Sequence, residues 1–140
     1  MQKTWKLAMA LALVTTLAAC GGGGSDPTPR GAIAVSPATG EGAITTFFTS
    51  QAEANSDALF DCGYQYNSNY PTTQTYGLCR VVLEFSGAGT CGSMAWSPEG
   101  VWGVGTGGSK EKADRIAVAE CASKGGRSCV IPPWLRDQCN

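Results

Sequence analysis

With ten basic and eleven acidic side chains among 140 residues, the chain has room for one compact domain and carries a formal net charge of −1. A balance so close to neutral, without a basic patch, argues against phosphate-driven binding, so no nucleic-acid partner is expected. Histidine is absent, which excludes Ser-His and Cys-His nucleophile activation and removes the commonest metal ligand.

Lys3 and Lys6 precede the apolar run Leu7 to Leu17, which is too short to span a bilayer and suits a secretory signal. The run ends in Leu17-Ala18-Ala19-Cys20. Small residues directly before a cysteine resemble the bacterial lipobox, so residues 1–19 are expected to be removed and Cys20 to be lipidated. Several acyl chains hold a protein where one holds it only marginally. Gly21-Gly22-Gly23-Gly24-Ser25 and the polar stretch to Arg30 make residues 20–30 a flexible tether. The expected location is the cell envelope, lipid-anchored, with Gly21 after the cysteine pointing to the outer membrane facing the periplasm. The anchor is the only expected membrane contact. Without Lys3 and Lys6, eight basic residues face eleven acidic ones.

The remaining domain, 31–140, writes one unit twice. Gly31-Ala-Ile-Ala-Val-Ser-Pro37 returns as Gly92-Ser-Met-Ala-Trp-Ser-Pro98, and a Ser50-to-Cys62 segment returns with identical spacing as Ser109 to Cys121. In chain order, Ala32–Val35 and Ala43–Thr49 read as strands joined by a Pro/Gly turn. Ser50 then caps a helix, with Glu53 at the capping-box position. Ala54, Ala58 and Cys62 recur every fourth residue and share one small face. Gly63 is expected to end that helix, and Gly63–Gly77 to form a long loop before the strand Arg80–Phe85. In the second copy Ser93–Ser97 and Val101–Gly105 are the paired strands. Ser109 caps a helix with Ala113, Ala117 and Cys121 on one face, and Val130-Ile131 closes the copy before Pro132-Pro133. The expected fold class is therefore α+β: two β-β-α-β pseudo-repeats, about 31–85 and 92–131, sharing one antiparallel or mixed sheet with two helices.

Six cysteines remain once Cys20 is set aside, an even set that reads as a disulfide framework in an exported chain. Cys62 and Cys121 each close a helix, and each is followed by a cysteine that leads into an apolar run. Equivalent positions suggest Cys62–Cys79 and Cys121–Cys129, leaving Cys91 for Cys139. Metal ligation is disfavoured, because no pair has C-x-x-C spacing, and no cofactor is expected.

Gly-Ala-Ile-Ala-Val-Ser-Pro, the Ser-x-x-x-Ala-x-x-x-Ala-x-x-x-Cys helix and Gly100-Val-Trp-Gly-Val-Gly105 leading to Ser109 resemble the bacterial secreted family called domain of unknown function 4189. The likeness spans roughly Gly31 to Val130. It implies the duplicated fold and brings no activity with it.

Three places are candidates for chemistry. Glu53, Asp57 and Asp61 on one helix, with Glu41 and Glu84 elsewhere, are carboxylates of the kind a glycosidase pairs, though helix acids facing solvent explain them equally. Gly105-Thr-Gly-Gly-Ser-Lys110 opens a helix as a phosphate loop does, but the order of its residues is wrong, and a turn with an N-cap accounts for it. The third is the loop with Tyr64, Tyr66, Asn67, Asn69, Tyr70 and Tyr76, whose tyrosines and short polar residues are typical of recognition surfaces. Trp96 and Trp102 are expected in the core. The acids crowd the first copy and the bases the second. These features favour a binding protein over an enzyme, with another protein, such as one it inhibits, or a cell-wall glycan as partner.

Overall fold

A computed structural model describes residues 28–67 and 79–140, with side chains described for all of them except 65–67. The signal, Cys20 and most of the tether lie outside the described residues. The architecture is α+β, with seven elements in the order β1 (Arg30–Val35), β2 (Gly42–Phe48), α1 (Gln51–Asn67), β3 (Arg80–Ser86), β4 (Cys91–Trp96), β5 (Trp102–Gly107) and α2 (Lys110–Ser123). The strands do not share one sheet, as the sequence suggests. They form two antiparallel sheets, β2-β1-β3 and β4-β5.

The two sheets stack, and each has a helix on its outer face. Strand alternation sorts the side chains. On β1, Ala32 and Ala34 meet Ala54, Ala58 and Cys62 of α1, while Ile33 and Val35 point the other way, to Phe85, Met94 and Leu135. On β4, Met94 joins this middle cluster, while Ala95 faces Ala117 and Cys121 of α2. Small residues thus line both helix seams and large ones fill the space between sheets. Each large side chain buried there contributes roughly 2 kcal/mol. Trp96, Trp102 and Trp134 pack partly buried against the same middle cluster. A Cβ at Gly31 or at Gly92 would stand 2.3 or 2.6 Å from the Phe85 ring, so one phenylalanine fills the space above both corresponding glycines.

The halves also have matching registers. Val35 pairs with Gly42 and Arg80, and Trp96 pairs with Trp102 and Val130. Disulfides join Cys62 to Cys79, Cys121 to Cys129 and Cys91 to Cys139. The closing strand expected at Val130-Ile131 shrinks to one bridge, however, with a second bridge between Cys91 and Cys139 further along β4. Pro132 and Pro133 lie between them. Proline has no N–H to donate, so the ladder that β3 forms on β1 is interrupted on β4.

The helices differ at their ends. Ser50 Oγ accepts from Glu53 N at 3.2 Å and Ser109 Oγ from Lys112 N at 3.3 Å, so both start on serine caps. Behind α2, Gly125 has φ +92° and donates to Ala122 O, and Gly126 N donates to Cys121 O, which closes the last turn as a Schellman motif. Gly63 does not end α1, contrary to the expectation from sequence. The helix runs through it to Asn67, and Gly63 is buried there beside the bridging Cys62.

Candidate functional site

Helix α1 presents a second stripe opposite its buried one. Ala52, Ser56, Phe60 and Tyr64 recur every fourth residue and are all exposed, while Ala54, Ala58 and Cys62 are fully buried. Phe60 and Tyr64 leave 53% and 65% of their surfaces in water, and their rings stack with centroids 6.3 Å apart and planes 13° from parallel. The corresponding face of α2 carries Glu111, Arg115, Ala119 and Ser123, an ordinary solvated surface. An uncharged aromatic stripe is therefore peculiar to α1.

Two acids flank it. Asp57 and Asp61 are half-buried and four residues apart, so they stand on adjacent turns. Burial, and then the charge of Asp57, raises the Asp61 carboxyl above the ordinary aspartate value. Of the other acids of the first half, Glu41 is exposed on the turn between β1 and β2, whereas Glu53 and Glu84 have side-chain partners. Glu53 Oε2 accepts from Ser50 Oγ at 3.0 Å, and Glu84 Oε1 accepts from Asn55 Nδ2 at 2.6 Å.

Of the loop residues singled out from sequence, Tyr64 stands exposed on α1, and the backbone of Tyr66 and Asn67 continues the same helix. They belong to a helix end and not to a loop. Asn69, Tyr70 and Tyr76 lie outside the described residues. Phe60 escaped the sequence reading, although its four-residue spacing to Tyr64 was visible once the helix is allowed to pass Gly63. The Cys62–Cys79 bridge joins this helix to the start of β3. There the Arg80 guanidinium lies 5.2 Å from the centre of the Trp102 ring, and Lys124 Nζ lies 4.9 Å from the same ring.

A second polar cluster lies at the start of α2. Asp114 accepts from Ser93 Oγ at 2.6 Å, from Lys110 Nζ at 2.7 Å and from Gln138 Nε2 at 3.1 Å. Partial burial raises its carboxyl, but these hydrogen bonds outweigh that and hold it below the ordinary aspartate range. Ser93 is fully buried and its partner is a carboxylate of lowered basicity, a poor setting for a nucleophile. The cluster ties β4, α2 and the last residues of the chain together. Nearby, Glu120 accepts from Val104 N, and Lys124 Nζ reaches Trp102 O at 3.3 Å and Glu120 at 2.9 Å. These two side chains of α2 cover backbone groups on the free edge of β5.

Of the glycines in Gly105–Lys110, Gly105 and Gly107 pack closely against α2, and Gly108 faces open space. A Cβ at Gly105 would lie 2.6 Å from Ala113 O, and Ser109 is the helix cap. Among the described residues no group of His, Cys, Asp or Glu is arranged to hold a metal ion, and no helix is long and apolar enough to cross a membrane.

Comparison with known proteins adds one match. The family model described as "Domain of unknown function (DUF4189)" matches residues 31–135. No curated protein and no solved structure matches the chain.

Proposed function

From the premise that this chain belongs to the DUF4189 family, whose description assigns no activity, we propose that it is a lipid-anchored envelope protein that works by binding another protein, as an inhibitor or immunity-type protein does. The observation that carries this is the exposed Phe60–Tyr64 stack on α1, opposite a fully buried stripe and absent from the matching face of α2. Exposed aromatic rings on a rigid helix offer a large contact area at low ordering cost. Asp57 and Asp61 beside them suit a partner that brings a lysine or arginine. Tyr66, Asn67, Asn69, Tyr70 and Tyr76, which follow Tyr64 in the sequence, belong to the binding segment in this reading.

Affinity capture with the mature lipidated chain from envelope extract tests it. Replacing Phe60 and Tyr64 together by alanine is expected to abolish capture of the retained protein while thermal unfolding stays within about 1 kcal/mol, as for exposed positions. Undiminished capture by the double variant would place the site elsewhere.

A second reading, an enzyme acting on cell-wall glycan, draws support from Asp61 alone. A carboxyl raised by burial and by a second carboxylate beside it is the pairing used by a general acid. It predicts release of reducing sugar from purified peptidoglycan, lost in Asp61→Asn. A chain that releases none is no such enzyme.

A further inference from the structure

The register of β2 on β1 slips between Arg30 and Ala32, so β2 has one residue more than its partner strand there. The pairing of β4 with β5 runs without a slip over the matching stretch. The extra residue brings with it an outlier. Phe47 has φ 64°, a left-handed conformation disfavoured for a bulky side chain, and the residue is 69% exposed. Its conformation is pinned from behind, where Phe47 N donates to Asn140 Oδ1 at 2.9 Å. Asn140 Nδ2 in turn donates to Pro29 O at 3.3 Å, Gly87 N donates to Pro29 O at 2.9 Å, and Gly89 N donates to Asn140 O at 2.6 Å. One end of the domain is thus built from residues 28–30, 46–49 and 86–90 around Asn140, and among those three segments Arg30 is the only charged residue.

The chain outside the structure meets the domain at this same end, at Thr28. Seven residues separate Cys20 from Thr28, a span of about 30 Å at full extension and roughly 15 Å as a flexible coil. Lipidation at Cys20 therefore keeps this end close to the bilayer, and makes even a small apolar contact effectively intramolecular. We infer that the Phe47 end rests on the membrane, with the Phe47 ring inserted at the headgroup level of a phospholipid bilayer. The inference rests on lipidation of Cys20 and goes beyond the binding role proposed above. An outward aromatic ring on a stretch poor in charge is what such a surface accepts, with the exposed Glu53 carboxylate, which accepts from Thr49 Oγ1 at 3.4 Å, at its rim. The acidic α1 face is then left for a soluble partner.

The test uses the mature lipidated chain in vesicles of phosphatidylethanolamine and phosphatidylglycerol. Phe47, Ala88 or Phe60 is replaced in turn by the photoreactive analogue p-benzoylphenylalanine. Flotation reports the anchor, and phospholipid adducts after irradiation report docking. At least fivefold more adduct at positions 47 and 88 than at 60 is expected. Adducts at all three positions alike, or at none, in a chain that floats overturn the docking and leave the anchor standing. A chain that does not float, or a Cys20→Ala chain that floats equally well, overturns the anchor and the docking with it.

Discussion

Asp114 gathers three donors from three parts of the fold, and its energetics follow from that count. Asp114→Ala strips the buried Ser93 hydroxyl of its acceptor and weakens the hold on Gln138, a loss of about 2 kcal/mol measurable by urea unfolding. Its carboxyl is lowered in the fold, burial being outweighed by the hydrogen bonds, so the folded state holds on to protons less than the unfolded chain. That stabilisation is complete above the ordinary aspartate range and disappears as pH falls through the lowered value. Asp114→Asn is expected to flatten the fall in stability on acidification below about pH 4. Glu120 is lowered in the same way, with burial opposed by Lys124 and by Val104 N–H, and accounts for part of the slope that remains. Asp61 has the opposite sign: its raised carboxyl favours the folded state as pH falls. Lys110–Asp114 and Lys124–Glu120 are i,i+4 pairs on one helix, but the contacts of Asp114 with Ser93 and Gln138 cross more than twenty residues. Ser93 and Asp114 carry no pattern that marks them as partners, whereas the caps Ser50 and Ser109 were visible because an N-cap depends only on the next three residues.

Between elements, the closeness of helix to sheet is set by the smallest residues. A Cβ on Gly103 would lie 2.2 Å from Cys121 N and 2.5 Å from Ala117 O, which are backbone atoms that cannot rotate away. Gly103→Ala is expected to lift α2 from β5 and cost about 3 kcal/mol, read as a lowered midpoint of thermal or chemical unfolding. The first half has Ala43 in the matching register and bonds its Thr45 hydroxyl to Ala54 O at 3.0 Å. The stripes of alanine and cysteine were legible because helical periodicity is a local signal. The length of α1 was not. Gly63 looks like a stop, and an interior glycine does cost about 1 kcal/mol, but burial beside Cys62 offsets it and carries the helix on to Asn67. The aromatic face of α1 therefore stayed hidden, since Tyr64 reads as a loop residue until the helix is known to include it.

At the scale of the molecule, four layers in the order α1, first sheet, second sheet, α2 are held by three bridges. In the chain-entropy account their worth rises with the loop closed, so separations of 48, 17 and 8 residues correspond to about 4, 3 and 2.5 kcal/mol for Cys91–Cys139, Cys62–Cys79 and Cys121–Cys129. Replacing Cys91 and Cys139 by serine is expected to destabilise most in denaturant titrations, and an order reversed against Cys121–Cys129 would show that the contacts of the last residues outweigh chain entropy. From sequence alone come the α+β class, the caps and the small-residue helix faces, because each of these is written in short-range spacing. Only the tertiary structure decided that the halves stack as two sheets, that Pro132 and Pro133 break the last strand, and that Phe47 and Phe60 face water. Alternation along a strand shows that it has two faces; what covers each face depends on residues far away in the chain.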